Sequence, residues 1–315
     1  MSPRQNTEML LHGRAEPRIS RYLDAEAGEV ARFLADCAMR DRSLKGEVPS
    51  LADWRRFTRQ SYNHGARDFC LARIGSPLVA VLTSTLLPGI GVPRRHFRII
   101  VHPKERRRGI GTLLLGRVEG QEPRRAVLQC NCRDSWTAGR SFLAGAGFHV
   151  ARRHLEMELD AVSTSTYEFD LPTPCQIRPH AETAADDAVW LQIDHEGYAD
   201  DPDAQRPTIK DLEARRGKRG FRLWLLEREG EALGFLHTTA MRRAHIHSVV
   251  VTPKNRGQGL GLVLMVHAMR ALRGDGATGF TLSVRADNTP AVALYRTLGF
   301  ESFDVLETWQ RTNGN

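Results

Sequence analysis

The chain has 315 residues, 41% hydrophobic and 26% charged, with a formal net charge of +8. That balance excludes a disordered or fibrous protein, and no apolar run reaches the roughly 20 residues a membrane helix needs. The opening MSPRQNTEMLLHGRAEPRIS has no basic segment followed by a long apolar one, so a cytoplasmic location without membrane contact is expected. Helical periodicity comes first, in VARFLADCAMR and ADWRRFTRQ. The runs DFCLARI, LVAVLTSTLL and FRIIV have strand composition, a helix is expected from Gly109, and the strand RAVLQCNC follows. A short helix, AGRSFLAGAG, and a strand, FHVARRHLEMEL, close the first half. In the second half the helices ADDAVWLQIDHEGY and IKDLEARR precede the strands FRLWLLER, ALGFLHTTAM and AHIHSVVV. The turn EGE makes the first two of those strands a hairpin. A helix after a glycine-rich stretch, the strand GFTLSVRA, the helix TPAVALYRTLG and the strand FESFDVLETWQ complete the order.

The two halves therefore repeat one another, as a length suited to two domains of roughly 150 residues suggests. VHPKERRRGIGTLLL from Val101 and VTPKNRGQGLGLVLM from Val251 match without a gap at an offset of 150, and SFLAGAGF matches ALYRTLGF at 152. The expected fold is α/β with a mixed sheet, in two tandem domains: residues 1–160 and 175–315, joined by a polar, proline-bearing linker at 161–174. A monomer that is internally a pseudo-dimer is expected, with a homodimer as the alternative. Residues 1–160 carry 27 Lys and Arg against 17 Asp and Glu, whereas 161–315 carry 18 against 20. No nucleic-acid motif accompanies the basic excess, so nucleic acid is not an expected partner. The five cysteines have no framework spacing. Cys130 and Cys132, in C-x-C on a strand, point to one core face rather than to a metal site, and no metal is expected.

RGQGLG, Arg256 to Gly261, lies between an apolar strand and an amphipathic helix. A strand entering a helix through such a turn aims free N–H groups and the positive helix end at one spot, which favours a phosphate. The glycines permit close approach, and arginine adds a charged fork. The alternative is a tight connection and nothing more. The spacing is neither that of a Walker loop nor that of the dinucleotide fingerprint G-x-G-x-x-G. Arg106, Arg107, Arg108, Gly109, Ile110 and Gly111 repeat the arrangement.

Val251 and Pro253, then Arg256, Gly259 and Gly261, then Asn288, Ala291, Leu294, Tyr295, Gly299 and Phe300 resemble the motifs of the GCN5-related N-acetyltransferases (GNAT). The resemblance covers the second half and, more weakly, the first. The tandem layout is similar to that of the mycothiol synthase branch. The resemblance implies GNAT-like domains that bind acetyl-CoA, one or two per chain, and acetylate amines. The backbone of Val249, Val250 and Val251 would hold the pantetheine arm; Arg256, Gly257, Gln258, Gly259, Leu260 and Gly261 would hold the pyrophosphate, with Asn288 beside it. In the first half, Ile99, Ile100 and Val101 with Arg106 to Gly111 are the corresponding cofactor-binding residues.

Tyr295 falls where the family commonly places the group that protonates the departing thiolate; the alternative is packing beside Phe300. His245, eight residues before Pro253, falls where an acidic base is usual; its neutral form can accept a proton near neutral pH. His247 shares its face by alternation, and the alternative for both is a surface histidine. Counting places Arg95, Trp136 and Leu143 in the first half opposite His245, Asn288 and Tyr295. Arginine is no effective base and leucine cannot protonate a thiolate, so the first domain is expected to be non-catalytic. The acidic run DHEGYADDPD, with Tyr198, Asp200, Asp201 and Asp203, lies where the family builds its acceptor wall; the alternative is a solvated acidic loop. The expected acceptor is a small-molecule amine, taken by direct transfer in a ternary complex. A peptide acceptor, or a non-catalytic acetyl-CoA sensor, are the competing readings.

Overall fold

The computed structural model describes residues 16–41, 44, 49–58, 68–87, 93–121, 126–160, 174–200, 207–217 and 219–313. Contacts divide the chain into unit 1, Met1–Ala151 with Glu307–Asn315, and unit 2, Arg152–Leu306.

Unit 1 runs β1 (Arg18–Arg21), α1 (Ala27–Arg40), α2 (Leu51–Thr58), β2 (Phe69–Arg73), β3 (Leu78–Leu87), β4 (Arg94–Val101), α3 (Ile110–Glu119), β5 (Val127–Arg133), α4 (Thr137–Gly145) and the start of β6 (His149–Asp160). Its strand order is β1-β2-β3-β4-β5-β12, where β12 is Glu301–Thr312. Alternation explains why FCLAR is buried throughout. Phe69 and Leu71 pack under α1 and α2 with Phe33, Leu34 and Trp54, while Cys70 and Ala72 join Ile110, Leu114 and Leu128 under α3 and α4. Cys130 and Cys132 lie in that second core outside any disulfide, and burial pushes Cys130 up to about 12.

Unit 2 continues through β6 and adds β7 (Cys175–Pro179), α5 (Ala184–Gly197), α6 (Ile209–Arg216), β8 (Phe221–Arg228), β9 (Glu231–Thr239), β10 (Arg243–Val251), α7 (Leu260–Gly274), β11 (Gly279–Arg285) and α8 (Thr289–Thr297). Its strand order is β6-β11-β10-β9-β8-β7. Glu229 and Gly230, at φ 51° and 83°, make the two-residue turn that joins β8 to β9 with the twist a hairpin requires. Trp190, Ile193, Leu212 and Phe235 form the core under α5 and α6. Leu264, Met265, Phe280, Leu282 and Tyr295 belong to the core under α7 and α8. Arg178 of β7 bonds both Asp186 at the start of α5 and Glu227 of β8, each at 2.6 Å, and anchors that helix to the sheet. Its guanidinium holds Asp186 down to about 2.

Two features differ from the sequence expectation. The edge strands β1 and β7 are added, each too short and polar to register as a periodic run. The division also falls elsewhere than at 161–174, of which 161–173 lie outside the described residues. The cause is pairing: β6 pairs with β11 from Asp160 to His154, and the end of β12 lies beside β5, where Asn313 N–H donates to the Ala126 carbonyl at 2.7 Å. Each unit is finished by a strand segment from the other half of the sequence.

Candidate active site

β10 pairs in parallel with β11 only from Arg243 to Ile246, while on its other side it pairs with β9 as far as Val251. Val249, Val250 and Val251 therefore turn a backbone edge toward β11 that, among the described residues, no strand of unit 2 fills. A peptide-like chain can add there by main-chain hydrogen bonds. The side chains are core all the same: Val250 packs under α5, and Val249 and Val251 lie against the α7 side. The register slips between Ile246 and Ser248, so His247 is a β-bulge. Ala244 and Ile246 face the same core as Val249 and Val251, an odd step that only an extra residue permits.

The glycine loop follows at once. Gly257 and Gly259 have φ of 78° and 75°, and a Cβ at either would meet nothing within 4 Å. Their bare backbone fronts open space, as a phosphate cradle requires. Gly259 caps α7, and Leu260 is buried beneath. Gln258 accepts from Arg228 at 3.1 Å. Arg256 also acts as a clamp, donating to the Val251 carbonyl at 3.2 Å and to the Gly197 carbonyl at 2.7 Å. It thereby ties the end of α5 to the end of β10. Gly197 permits that approach, since a Cβ there would overlap Val250. Asn288 caps α8, its Oδ1 accepting from Ala291 N–H at 3.3 Å.

Tyr295 on α8 is 8% exposed, edge-on to Phe300 at 6.0 Å. Burial, with the Tyr198 phenol adding to it, holds its pKa far above that of free tyrosine, so it keeps its proton at neutral pH. Tyr198 ends α5, on the far side of the sheet from α8. His245 bonds Thr281 Oγ1 through Nδ1 at 2.9 Å, and burial lowers its pKa while Glu156 pulls it upward. Its ring meets His247 edge-on at 4.6 Å, and His247 stacks on His237 at 4.7 Å. Asp200 is exposed in the turn after α5. Asp201 and Asp203 lie outside the described residues. Among the described residues no cluster of three metal-ligating side chains occurs, and no helix is long and apolar enough to cross a membrane.

Unit 1 repeats the frame. β4 pairs with β5 only from Arg94 to His96, leaving Ile99, Ile100 and Val101 beyond the parallel pairing. Arg107, Gly109 and their neighbours form the second loop, with φ of 64° and 76°. Ile110 is buried, and Gly111 lies against the Phe142 ring, which would stand 3.3 Å from an added Cβ. Arg106 bonds the Val101 carbonyl at 3.3 Å but pairs with Asp41 at 2.7 Å. Arg108 pairs with Glu105. Leu143 is core at the Tyr295 position.

The counterpart of His245 needs correction. β3 and β4 pair without a slip, so β4 lacks the extra residue of β10, and counting back from the proline lands one residue out. His96 lies opposite Gln129 of β5 as His245 lies opposite Thr281. Arg95 instead occupies the position of Ala244 and is buried against Asp68 at 2.9 Å. Burial lowers the His96 pKa, and Arg98 adds to that. Thr281, Gly197 and Glu156 were not legible as site residues, because their places depend on register and close approach.

The sheet of unit 2 thus opens beside a glycine turn, with His245 on one strand of the opening and Tyr295 buried on α8. The acetyltransferase (GNAT) family profile matches residues 187–300. The mycothiol acetyltransferase of Thermomonospora curvata is 32% identical over 213 residues, 66% of this chain and 70% of that protein. That of Kineococcus radiotolerans is 35% identical over 208 residues, covering 64% and 67%. The chain belongs to the GCN5-related N-acetyltransferase family and is an N-acetyltransferase. The fold agrees. A GCN5-related N-acetyltransferase from Sphaerobacter thermophilus superposes with a TM-score of 0.74 at 18% identity, over 94% of this chain and 95% of that one. A tandem GNAT protein from the clavulanic acid biosynthesis pathway also reaches 0.74 at 18% identity, over 95% and 99%.

Proposed function

We propose that unit 2 transfers an acetyl group from acetyl-CoA to the primary amine of a small molecule, directly within a ternary complex. The observation that carries this reading is the conjunction, in one unit, of the open edge at Val249–Val251, the Arg256–Gly261 cradle, His245 and Tyr295. The edge suits an amide-bearing pantetheine arm, and the free N–H groups of the loop suit a diphosphate. Acetyl-CoA supplies the acetyl group as a thioester. His245, kept neutral by burial, takes a proton from the attacking amine. Tyr295, kept protonated by burial, hands its proton to the departing sulfur. Relatives named for mycothiol acetylation support a small-molecule acceptor over a peptide.

Unit 1 offers a second cradle with Leu143 where the donor should stand, which supports binding without turnover. The test is thiol release from acetyl-CoA against amino sugars, polyamines, amino acids, peptides and the amine precursor of mycothiol. Release with a small amine is expected. Release with peptides alone would favour a peptide acetyltransferase, and no release with any of them would leave an acetyl-CoA sensor. Equilibrium dialysis counts the molecules bound per chain.

A further inference from the structure

Strand β6 carries carboxylates from the first half of the sequence into unit 2. Leu155, Met157 and Leu159 pack into the core under α7 with Phe280, Leu282 and Val284. Alternation turns Glu156 and Glu158 to the other face, which also carries Thr281 and His245. Glu158 lies opposite Thr281 and Glu156 opposite Ser283. Glu156 is thus one repeat further along β11, in the direction in which β10 has already parted from it. Two strand spacings, about 10 Å, separate the His245 row from β6, a gap that a small ligand can bridge.

The carboxylates of this face are not equivalent. Glu158 and Asp160 both pair with Arg243, at 2.8 and 3.1 Å. Glu156 is half-buried, yet among the described residues it makes no ion pair and no side-chain hydrogen bond. On its own strand the His154 ring stands beside it, with a pKa that burial lowers and Glu156 pulls upward, and a partly buried carboxylate with no ion pair is stabilised when a cation completes it. In unit 1 the side chain beside β5 at the matching place is uncharged: Thr308, whose hydroxyl is engaged by Asn131 at 3.1 Å.

We propose that Glu156 binds the ammonium form of the acceptor amine beside His245, so that a strand from the first half of the sequence completes the acceptor site of unit 2. This rests on the proposed function. A primary amine arrives protonated at neutral pH and is no nucleophile until an N–H bond breaks. Glu156 holds the ammonium; the proton passes to the free ring nitrogen of His245, Nε2, because Nδ1 is engaged with Thr281; the lone pair stays on the amine. The groups facing His245 are Glu156 and Glu158 from β6, Thr281 from β11, His247 from its own strand and, through His247, His237 and Thr239 from β9.

The test uses the full chain and needs no knowledge of the natural acceptor. The His245 ring is followed by NMR while methylammonium chloride is added, with methanol and sodium chloride as controls. A saturable shift is expected with methylammonium in the native protein and in Glu158→Gln, and its loss in Glu156→Gln. Glu156→Asp should keep it in weakened form. With the fastest amine of the thiol-release screen, Glu156→Gln should raise the acceptor KM about tenfold or more and leave the acetyl-CoA KM within about twofold. No saturable shift in the native protein, or equal shifts in Glu156→Gln, overturns the proposal. If no amine releases thiol, the proposed function fails while the NMR titration still decides the role of Glu156.

Discussion

The two glycine loops have nearly the same backbone, and their surroundings differ in a handful of side chains. Gly259 and Gly109 have φ of 75° and 76°, and where one loop places Gly257 at 78° the other forces Arg107 to 64°. Asn288 and Trp136 begin their helices at almost one conformation, φ −80° ψ 70° and φ −90° ψ 70°, but only Asn288 caps. One arginine holds the end of α5; its twin pairs with Asp41. One helix offers a buried phenol, the other a leucine. Cores and positive-φ turns preserve the frame, whereas the side chains to which we assign chemistry differ between the units without disturbing it.

The largest effect is expected from Tyr295→Phe. Removing the proposed proton donor should lower kcat by about 100-fold or more with little change in either KM. Equal turnover in Tyr295→Phe would show that the phenol only packs. His245→Gln should cost about 10- to 100-fold in kcat/KM for the acceptor, and His96→Gln less than about twofold. Since burial lowers the His245 pKa, the acid limb of the native pH profile should lie below the ordinary histidine value near 6.5. Activity is then lost as falling pH protonates the ring, and in Glu156→Gln the limb moves lower still. An acid limb that stays put in His245→Gln would point to another base.

Smaller effects sharpen the same contrast. Arg256→Ala frees the end of α5 and should raise the acetyl-CoA KM about tenfold, while Arg106→Ala leaves turnover mostly intact. Gly197→Ala sets a methyl against Val250 and should cost about 1–3 kcal/mol in a denaturant melt. Asn288→Ala should cost about 1 kcal/mol, and Trp136→Ala should lose nothing by way of a cap.

The order of elements was legible because helical and strand periods are local. FCLAR, IKDLEARR and FRLWLLER each form the element their pattern indicates, and the Glu229-Gly230 turn is of the expected kind. The two positive-φ glycine turns were legible because a strand-to-helix turn is set by neighbours in sequence, and Tyr295 falls on the short helix that its own local pattern indicates. The His245 counterpart was missed because a bulge is a property of two strands: the residue that slips β10 against β9 is invisible in β10 alone. The division between units was missed likewise, since β6 reads as the last strand of its own half whichever partner it takes. Arg256 was legible as a charge near the loop but not as the clamp on Gly197. Glu156 carries no motif and acquires meaning only from the strand beside it.

The exchange of strand ends has a consequence for synthesis. Trp309, 6% exposed, packs in the core under α3 and α4, and Arg311 bonds the Ala146 carbonyl at 2.5 Å and pairs with Glu119. A chain emerging from the ribosome begins unit 1 first yet cannot finish it until the segment from Glu307 onward has emerged, by which time all of unit 2 has been made. The unit begun first is completed after unit 2 has been made, so a truncation that removes Trp309 and Arg311 should strike the unit formed mainly by the opposite end of the sequence.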